Sequence, residues 1–357
     1  MENAMKEIDK TKPVLVTGGT GYLASWIIKM LLEDGIDVHA TVRDSSNTSK
    51  IEHLTTLSNQ SSGTLKLFDA DLLKKGSFEE AMGDCELVFH TASPFMITDI
   101  KDSETELIRP AKKGTKNVLE SAKKNHTVKR IVLTSSVAAI YGDNVDIKKT
   151  PKGIFTEKEW NVTSSPEHQP YPYSKTIAEK EAWSIAERQD KWDLISINPG
   201  WILGPSLSKR TDSLSIKTMI EYGDGTYKTG VPEIGMGIAD VRDVAAAHIK
   251  AGFTLEANGR HIIVNKEATL LDIADILVKK FGNDYPFPRR EAPKFLFWLI
   301  APLYGHTRKY VSKNVGIEVK FDNAKSKNDL DLSYLPFEQT IIEHFQQILD
   351  DGLLAKS

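Results

Sequence analysis

A short apolar run, Pro13-Val14-Leu15-Val16-Thr17, stops at Gly18-Gly19-Thr20-Gly21, and a helical pattern starts at once with Leu23, Ile27, Met30 and Leu31. This strand–glycine–helix order limits the fold more than any other stretch of the chain. Glycines between a buried strand and a helix permit a tight turn and a close approach of backbone to a ligand. The helix end adds free N–H groups and a positive dipole. Such a loop suits a pyrophosphate. Gly18 and Gly21 serve the turn, Thr20, Tyr22 and Leu23 complete the candidate cofactor-binding segment, and Ala24 is still small enough for close helix–sheet packing. A glycine triad alone is weak evidence against a plain structural turn; its place between strand and helix makes it informative.

The same alternation continues. Ile36, Val38, Ala40 and Val42 alternate with polar residues, and further strands read at 65–68, 87–90, 130–134, 194–198 and 261–264. Helical stretches such as 104–124 and 175–188 lie between them. Strand and helix in turn predict an α/β fold, a Rossmann-type doubly wound parallel sheet. The last third differs. Thr269 and Asp272 have capping-box spacing, Gly282 ends that helix, Pro286, Pro288 and Pro293 follow, and helices read near 295–303 and over 337–349. We therefore expect a nucleotide-binding domain over 1–198, with 236–265 returning to it. A smaller, helix-rich C-terminal substrate lobe is expected from 199–235 and 266–357. Ligands of such sheets sit at the carboxyl ends of the strands.

Composition excludes several functions. The 357 residues hold 46 basic and 49 acidic side chains, a net charge of -3, which gives no electrostatic footprint for nucleic acid. Cys85 is the single cysteine, so neither a disulfide framework nor a cysteine-rich metal site is available. With no signal-peptide pattern, a cytoplasmic location is expected. The apolar stretch 295–303 is too short to span a bilayer and contains Pro302, so no membrane partner is expected.

The second strand ends Ala40-Thr41-Val42-Arg43-Asp44. A carboxylate about 20 residues past the glycines usually bonds a ribose 2′-OH. Here Arg43, with its fork of donors, and Lys50 suit a 2′-phosphate instead, and point to NADP(H). The alternative leaves Arg43 and Lys50 as solvated charges and gives the ribose to Asp44. Asp71, after the third strand, suits an adenine amino group or a turn cap, and the two roles can coexist.

The most specific feature is Tyr171-Pro172-Tyr173-Ser174-Lys175. Four apart on a helix, Tyr171 and Lys175 share a face. A free phenol ionises near pH ~10, and a neighbouring ammonium is expected to lower that value and make Tyr171 a usable acid or base. The strand 130–134 runs into Ser135-Ser136, where a hydroxyl can hold a substrate carbonyl. His90 reads as a satisfied core histidine rather than an acid.

These residues together resemble the extended short-chain dehydrogenase/reductases: the TGGTGYLA loop, the LTSSVAA strand, YPYSK, and Asn198-Pro199-Gly200 with Gly204-Pro205. Gly21 to Trp26, Thr41 to Asp44 and Val88 to Pro94 narrow the likeness. They resemble dihydroflavonol 4-reductase, cinnamoyl-CoA reductase and microbial aldehyde and methylglyoxal reductases. The resemblance runs from about Val14 to about Leu335. It implies Tyr171 as proton donor, Lys175 as its pKa-lowering partner and Ser136 as the carbonyl-holding residue, with Ser135 the weaker candidate. It places Arg43 and Lys50 at the 2′-phosphate, Asp71 and Leu72 at the adenine, and Pro199 and Gly200 beside the nicotinamide. Thr91, Ala92 and Ser93 complete the expected cofactor set. The implied chemistry is hydride transfer from NADPH to a carbonyl carbon, with no metal, in a monomer or homodimer.

On the substrate side, Phe95, Met96, Tyr141, Trp201 and Ile202 predict a pocket for an apolar or aromatic carbonyl compound; core packing is the alternative for each. Tyr141 stands near where the flavonoid reductases carry a polar residue, which weakens a flavonoid assignment. Arg289, Arg290, Arg308 and Lys309 form a basic rim or simply a solvated face. Two other functions stay open. One is an NAD-dependent sugar-nucleotide epimerase, dehydratase or hydroxysteroid dehydrogenase of the same superfamily. The other is a non-catalytic NADP-sensing module.

Overall fold

In the computed structural model, which describes residues 7–93 and 102–354, β1 (Val14–Thr17) leads through the glycine loop into α1 (Tyr22–Glu33). Then come β2 (Val38–Val42), α2 (Thr48–Gln60), β3 (Leu65–Asp69), β4 (Leu87–His90), α3 (Arg109–Lys124), β5 (Arg130–Thr134), α4 (Pro170–Ala186) and β6 (Asp193–Pro199). The chain continues through β7 (Trp201–Leu203), α5 (Leu214–Gly223), β8 (Met236–Asp240), α6 (Val241–Phe253), β9 (Gly259–Ile263) and β10 (Lys266–Ala268). It ends with α7 (Leu270–Phe281), α8 (Lys294–Ile300), α9 (Arg308–Asn314), α10 (Ala324–Asp329) and α11 (Phe337–Asp350).

Seven strands form one sheet in the order β3-β2-β1-β4-β5-β6-β9, every pair parallel. Side chains alternate across it, so successive residues feed two cores. Val14, Val16, Leu87, Phe89, Val132, Ile195 and Ile197 meet α1 and α6 on one face. Leu15, Val88, Ile131, Leu133 and Leu194 meet α3 and α4 on the other, with Trp192 filling the far end. The order reverses between β1 and β4, which opens a crevice at their carboxyl ends.

A small sheet, β10-β8-β7, starts the second core. There α5, α7 and α11 bury Tyr222, Ile273, Leu277, Phe345 and Ile348. The expected capping box is present: Thr269 caps the Asp272 N–H, the Asp272 carboxylate accepts from the Thr269 N–H, and Gly282 closes the helix at φ 66°. This sheet was not expected from the sequence. Its strand β8 serves both cores: Ile238 joins the core of α5, α7 and α11, and Ala239 joins the core under α1 and α6.

Candidate active site

The glycine loop is shaped by space as well as by dihedral angle. Gly18 sits at φ 71°, where a Cβ would come within 3.1 Å of Ala92. Gly21 donates to the Gly18 carbonyl at 2.8 Å and forms the N-cap of α1, with no side chain capping that end. The first-turn N–H groups are thus left to a ligand, which fits a pyrophosphate. Tyr22 donates its hydroxyl to the Gly204 carbonyl, and the Trp26 indole N–H donates to the Pro205 carbonyl at 2.8 Å. Two aromatic side chains of α1 therefore fasten the lobe's Gly204-Pro205 turn over the loop. From the lobe side, Arg210 reaches the Thr20 carbonyl at 3.2 Å.

At the carboxyl end of β2, Arg43 and Lys50 are exposed, and neither enters an ion pair among the described residues. Asp44 is otherwise engaged: one carboxylate oxygen accepts from the Ser46 N–H (2.9 Å) and hydroxyl (2.6 Å), bonds that hold its pKa below the usual carboxylate range. Two free cations beside a committed carboxylate suit a phosphate monoester. Asp71 is exposed and accepts the Leu73 N–H at 2.7 Å, which is the turn-capping role. Leu72 packs against Gly114 on α3, where any Cβ would crowd it at 3.1 Å.

Between the loop and α4, Thr17 Oγ1 accepts the N–H groups of Thr91 (3.1 Å) and Ala92 (3.0 Å). With both lone pairs used, its own hydrogen goes to His90 Nδ1 at 3.0 Å. His90 is held as a neutral imidazole, and burial pushes its pKa down to about 3. It is a core histidine, not an acid.

Helix α4 begins at Pro170, one residue ahead of Tyr171, behind an N-cap Gln169 in the left-handed region at φ 61°. Lys175 Nζ lies over the Tyr171 ring, 6.0 Å from its centroid, and donates to Ser93 Oγ at 3.4 Å. Burial brings the Lys175 pKa down to about 8, against the upward pull of Glu179 one turn on. The sequence led us to expect a lowered Tyr171 pKa; instead burial raises it above the usual phenol value. Desolvation is the cause of that rise.

The two serines separate by their partners. Ser135 donates to Glu179 Oε2 and is buried. Ser136, extended at the N-cap of a short 3₁₀ turn (Val137–Ala139), accepts the Ala138 N–H at 3.1 Å and keeps its own hydrogen to donate. Glu179 went unnoticed in the sequence, yet it is buried at the centre of this region. It also accepts from Asn198 Nδ2 (2.9 Å), Trp183 Nε1 (3.1 Å) and Arg260 Nε (2.7 Å). A small cavity behind Lys175 is lined by His90, Ser93, Thr115, Ser135 and Glu179. Pro199 ends β6, and Gly200 follows where a Cβ would fall 2.3 Å from the Gly237 carbonyl oxygen.

A second buried carboxylate was also missed. Asp143 pairs with His168 Nε2 (2.9 Å) and accepts from Gln169 Nε2 (3.1 Å), Lys313 Nζ (3.1 Å) and Asn314 Nδ2 (2.9 Å). It joins α9 of the lobe to the residue that starts α4.

On the substrate side, Tyr141 stacks on Phe155 (4.6 Å, 21°) and leans on Phe321. Trp201 is half-buried, with its indole nitrogen enclosed and without an acceptor among the described residues. Ile202 packs against the main core. Phe95 and Met96 lie outside the described residues. Among the described residues, no cluster of His, Cys, Asp and Glu suits a metal ion.

A sequence model of the NAD dependent epimerase/dehydratase family matches residues 14–265. The chain belongs to that family. This family member is 36% identical over 342 residues to cinnamoyl-CoA reductase CAD2 of Medicago truncatula, covering 94% of this chain and 95% of that protein. It is 37% identical over 283 residues to anthocyanidin reductase of Arabidopsis thaliana, covering 76% and 81%. The structure of yeast methylglyoxal/isovaleraldehyde reductase Gre2 complexed with NADPH superposes with a TM-score of 0.76 at 29% identity. That match covers 96% of this chain and 100% of that one.

Proposed function

We propose that this protein is an NADPH-dependent reductase of aldehydes and ketones to alcohols, with Ser136, Tyr171 and Lys175 as its catalytic residues. The observation that carries the reading is the placement of Lys175 over the Tyr171 ring, at the sheet's switch point and beside an uncapped glycine-loop helix. Similarity to reductases, one of them complexed with NADPH, supports it.

The bound coenzyme supplies a hydride to the carbonyl carbon. Ser136 donates its hydroxyl hydrogen to the carbonyl oxygen, and Tyr171 passes its proton to the same oxygen as negative charge develops there. A phenol whose pKa burial has raised keeps that proton until the oxygen becomes basic enough to take it. Lys175 provides a positive charge beside the phenolate that is left behind. Arg43 and Lys50 hold the 2′-phosphate, the first turn of α1 holds the pyrophosphate, and Asp71, Leu72, Thr91, Ala92, Ser93, Pro199 and Gly200 line the rest. Trp201 and Tyr141 give the pocket an aromatic wall suited to an apolar or aromatic carbonyl compound. We place the protein in the cytoplasm as a monomer or homodimer, with the coenzyme on 1–198 and 236–265 and the substrate lobe formed by 199–235 and 266–357. The engagement of Asp44 by Ser46 counts against an NAD-retaining epimerase.

The test is loss of reduced-nicotinamide absorbance with NADPH and NADH in parallel, against small aldehydes, aromatic aldehydes, diketones and a dihydroflavonol. Turnover that needs NADPH is expected. No turnover on any of them, with NAD bound to the purified protein, would move the assignment to an epimerase.

A further inference from the structure

From Phe295 to Leu303 the sequence FLFWLIAPL has no charged side chain and no hydrogen-bonding one apart from the Trp298 indole. Ordinarily a helix at a protein surface spends one apolar face on the core and presents a polar one to water. Here the inner face is spent: Phe297 and Ala301 pack on Val311 and Val315 of the α9 region. The outer face is just as apolar. Phe295 is 69% exposed, Leu299 53% and Leu303 84%, with Leu296 and Trp298 beside them. These five are most of the exposed large hydrophobic side chains among the described residues; the other three, Leu73, Val162 and Leu255, are scattered along the chain. An exposed apolar face of this kind marks a contact surface.

The charge around the face says what it contacts. Residues 285–314 contain six Lys and Arg against one Glu, a net +5 within a chain of net -3. Arg289, Arg290, Lys294, Arg308 and Lys309 are all exposed, and the Arg308 guanidinium stacks 4.4 Å over the Trp298 ring, at the border of the apolar face. A second copy of the chain would bring two such basic rims together, which repels. An anionic bilayer answers both features: acyl chains accept the apolar side chains and lipid phosphates meet the basic rim. The stretch is about 13 Å long as a helix, far short of the hydrocarbon thickness, and no described helix is long and apolar enough to cross a membrane. It lies on the surface instead.

We propose that α8 and the turn after it form a peripheral docking site for anionic phospholipid membranes. This departs from the sequence expectation of no membrane partner, which considered only a spanning segment. The test is co-sedimentation of the full chain with vesicles of phosphatidylcholine alone, and with about one-third phosphatidylglycerol. The wild type is expected to pellet with the anionic vesicles, weakly or not at all with the neutral ones, and less as salt is raised. The double variant Leu299→Glu, Leu303→Glu is expected to lose binding roughly tenfold or more, with its circular dichroism spectrum and melting midpoint unchanged. Arg308→Glu with Lys309→Glu is expected to weaken binding without touching the apolar face. Wild type that stays in the supernatant, or a leucine double variant that pellets equally well, overturns the proposal. So does a wild-type dimer in sedimentation velocity that the same leucine variant dissociates, which assigns the face to a second copy.

Discussion

The Lys175 ammonium stands over the Tyr171 ring, with Nζ 6.0 Å from the centroid. One turn of α4 separates the two residues, and burial acts on both in the direction of the neutral form: the phenol is raised and the lysine drops to about 8. An ammonium at that distance would stabilise a phenolate on Tyr171, the form left after proton transfer.

Replacing Tyr171 by Phe removes the proposed proton donor and leaves the ring beneath Lys175. The variant is expected to bind NADPH as the wild type does and to lose turnover by about two to four orders of magnitude. Coenzyme titration and steady-state rates check both halves. A near-normal kcat would show that another group delivers the proton.

The lysine's shift makes a prediction about stability. Folding lowers its pKa from 10.5 to about 8, so between those values the unfolded chain binds more protons than the folded one. Stability contributed by this residue therefore rises with pH through that window, and below about 8 the full cost of burying the charge is present. Urea unfolding of wild type and Lys175→Met is expected to show the wild type gaining on the variant from pH 8 upward. A gap that stays constant with pH would mean Lys175 is not desolvated in the folded protein.

The sheet was legible because its strands and helices carry their own periodicities: the alternation of Val38, Ala40 and Val42 needs no knowledge of neighbours. The lobe's small sheet was not. Strands β7 and β10 have three residues each, and β8 contains Gly237, whose carbonyl approaches Gly200 too closely for any side chain. The resemblance favoured Ser136 over Ser135 in the sequence, but the physical difference between them, the bond from Ser135 to Glu179 44 residues on, was not visible there. Asp143 was invisible for the same reason, since two of its partners lie 170 and 171 residues away. A glutamine N-cap at φ 61° has no sequence signal, because glutamine rarely adopts that conformation.

Coenzyme preference tests the rim of β2. Arg43→Glu puts a carboxylate where a 2′-phosphate is expected and one that suits a free ribose hydroxyl. The ratio of kcat/KM for NADPH over NADH is expected to fall by roughly one to two orders of magnitude, with Lys50→Ala adding a smaller loss. Should Arg43→Glu leave the ratio alone, the phosphate is bound elsewhere.

Asp143 supplies the last prediction. Burial pushes its pKa up, but hydrogen bonds from His168, Asn314, Gln169 and Lys313 outweigh that and leave it below the ordinary 3.8. A carboxylate lowered by folding stabilises the protein above its unfolded pKa and loses that contribution as pH falls below it. Asp143→Ala strands buried donors from both the α9 region and the start of α4, a loss of about 3 kcal/mol at neutral pH. The effect is not confined to stability, because Gln169 sets the start of the helix that carries Tyr171 and Lys175. We expect kcat to fall with little change in NADPH affinity, and hydrogen exchange to speed up in both α9 and the first turn of α4. We also expect the stability gap between wild type and variant to narrow as pH is lowered toward 3. Normal exchange in the first turn of α4, with only α9 loosened, would confine Asp143 to holding the lobe and remove it from the positioning of the helix that carries Tyr171 and Lys175.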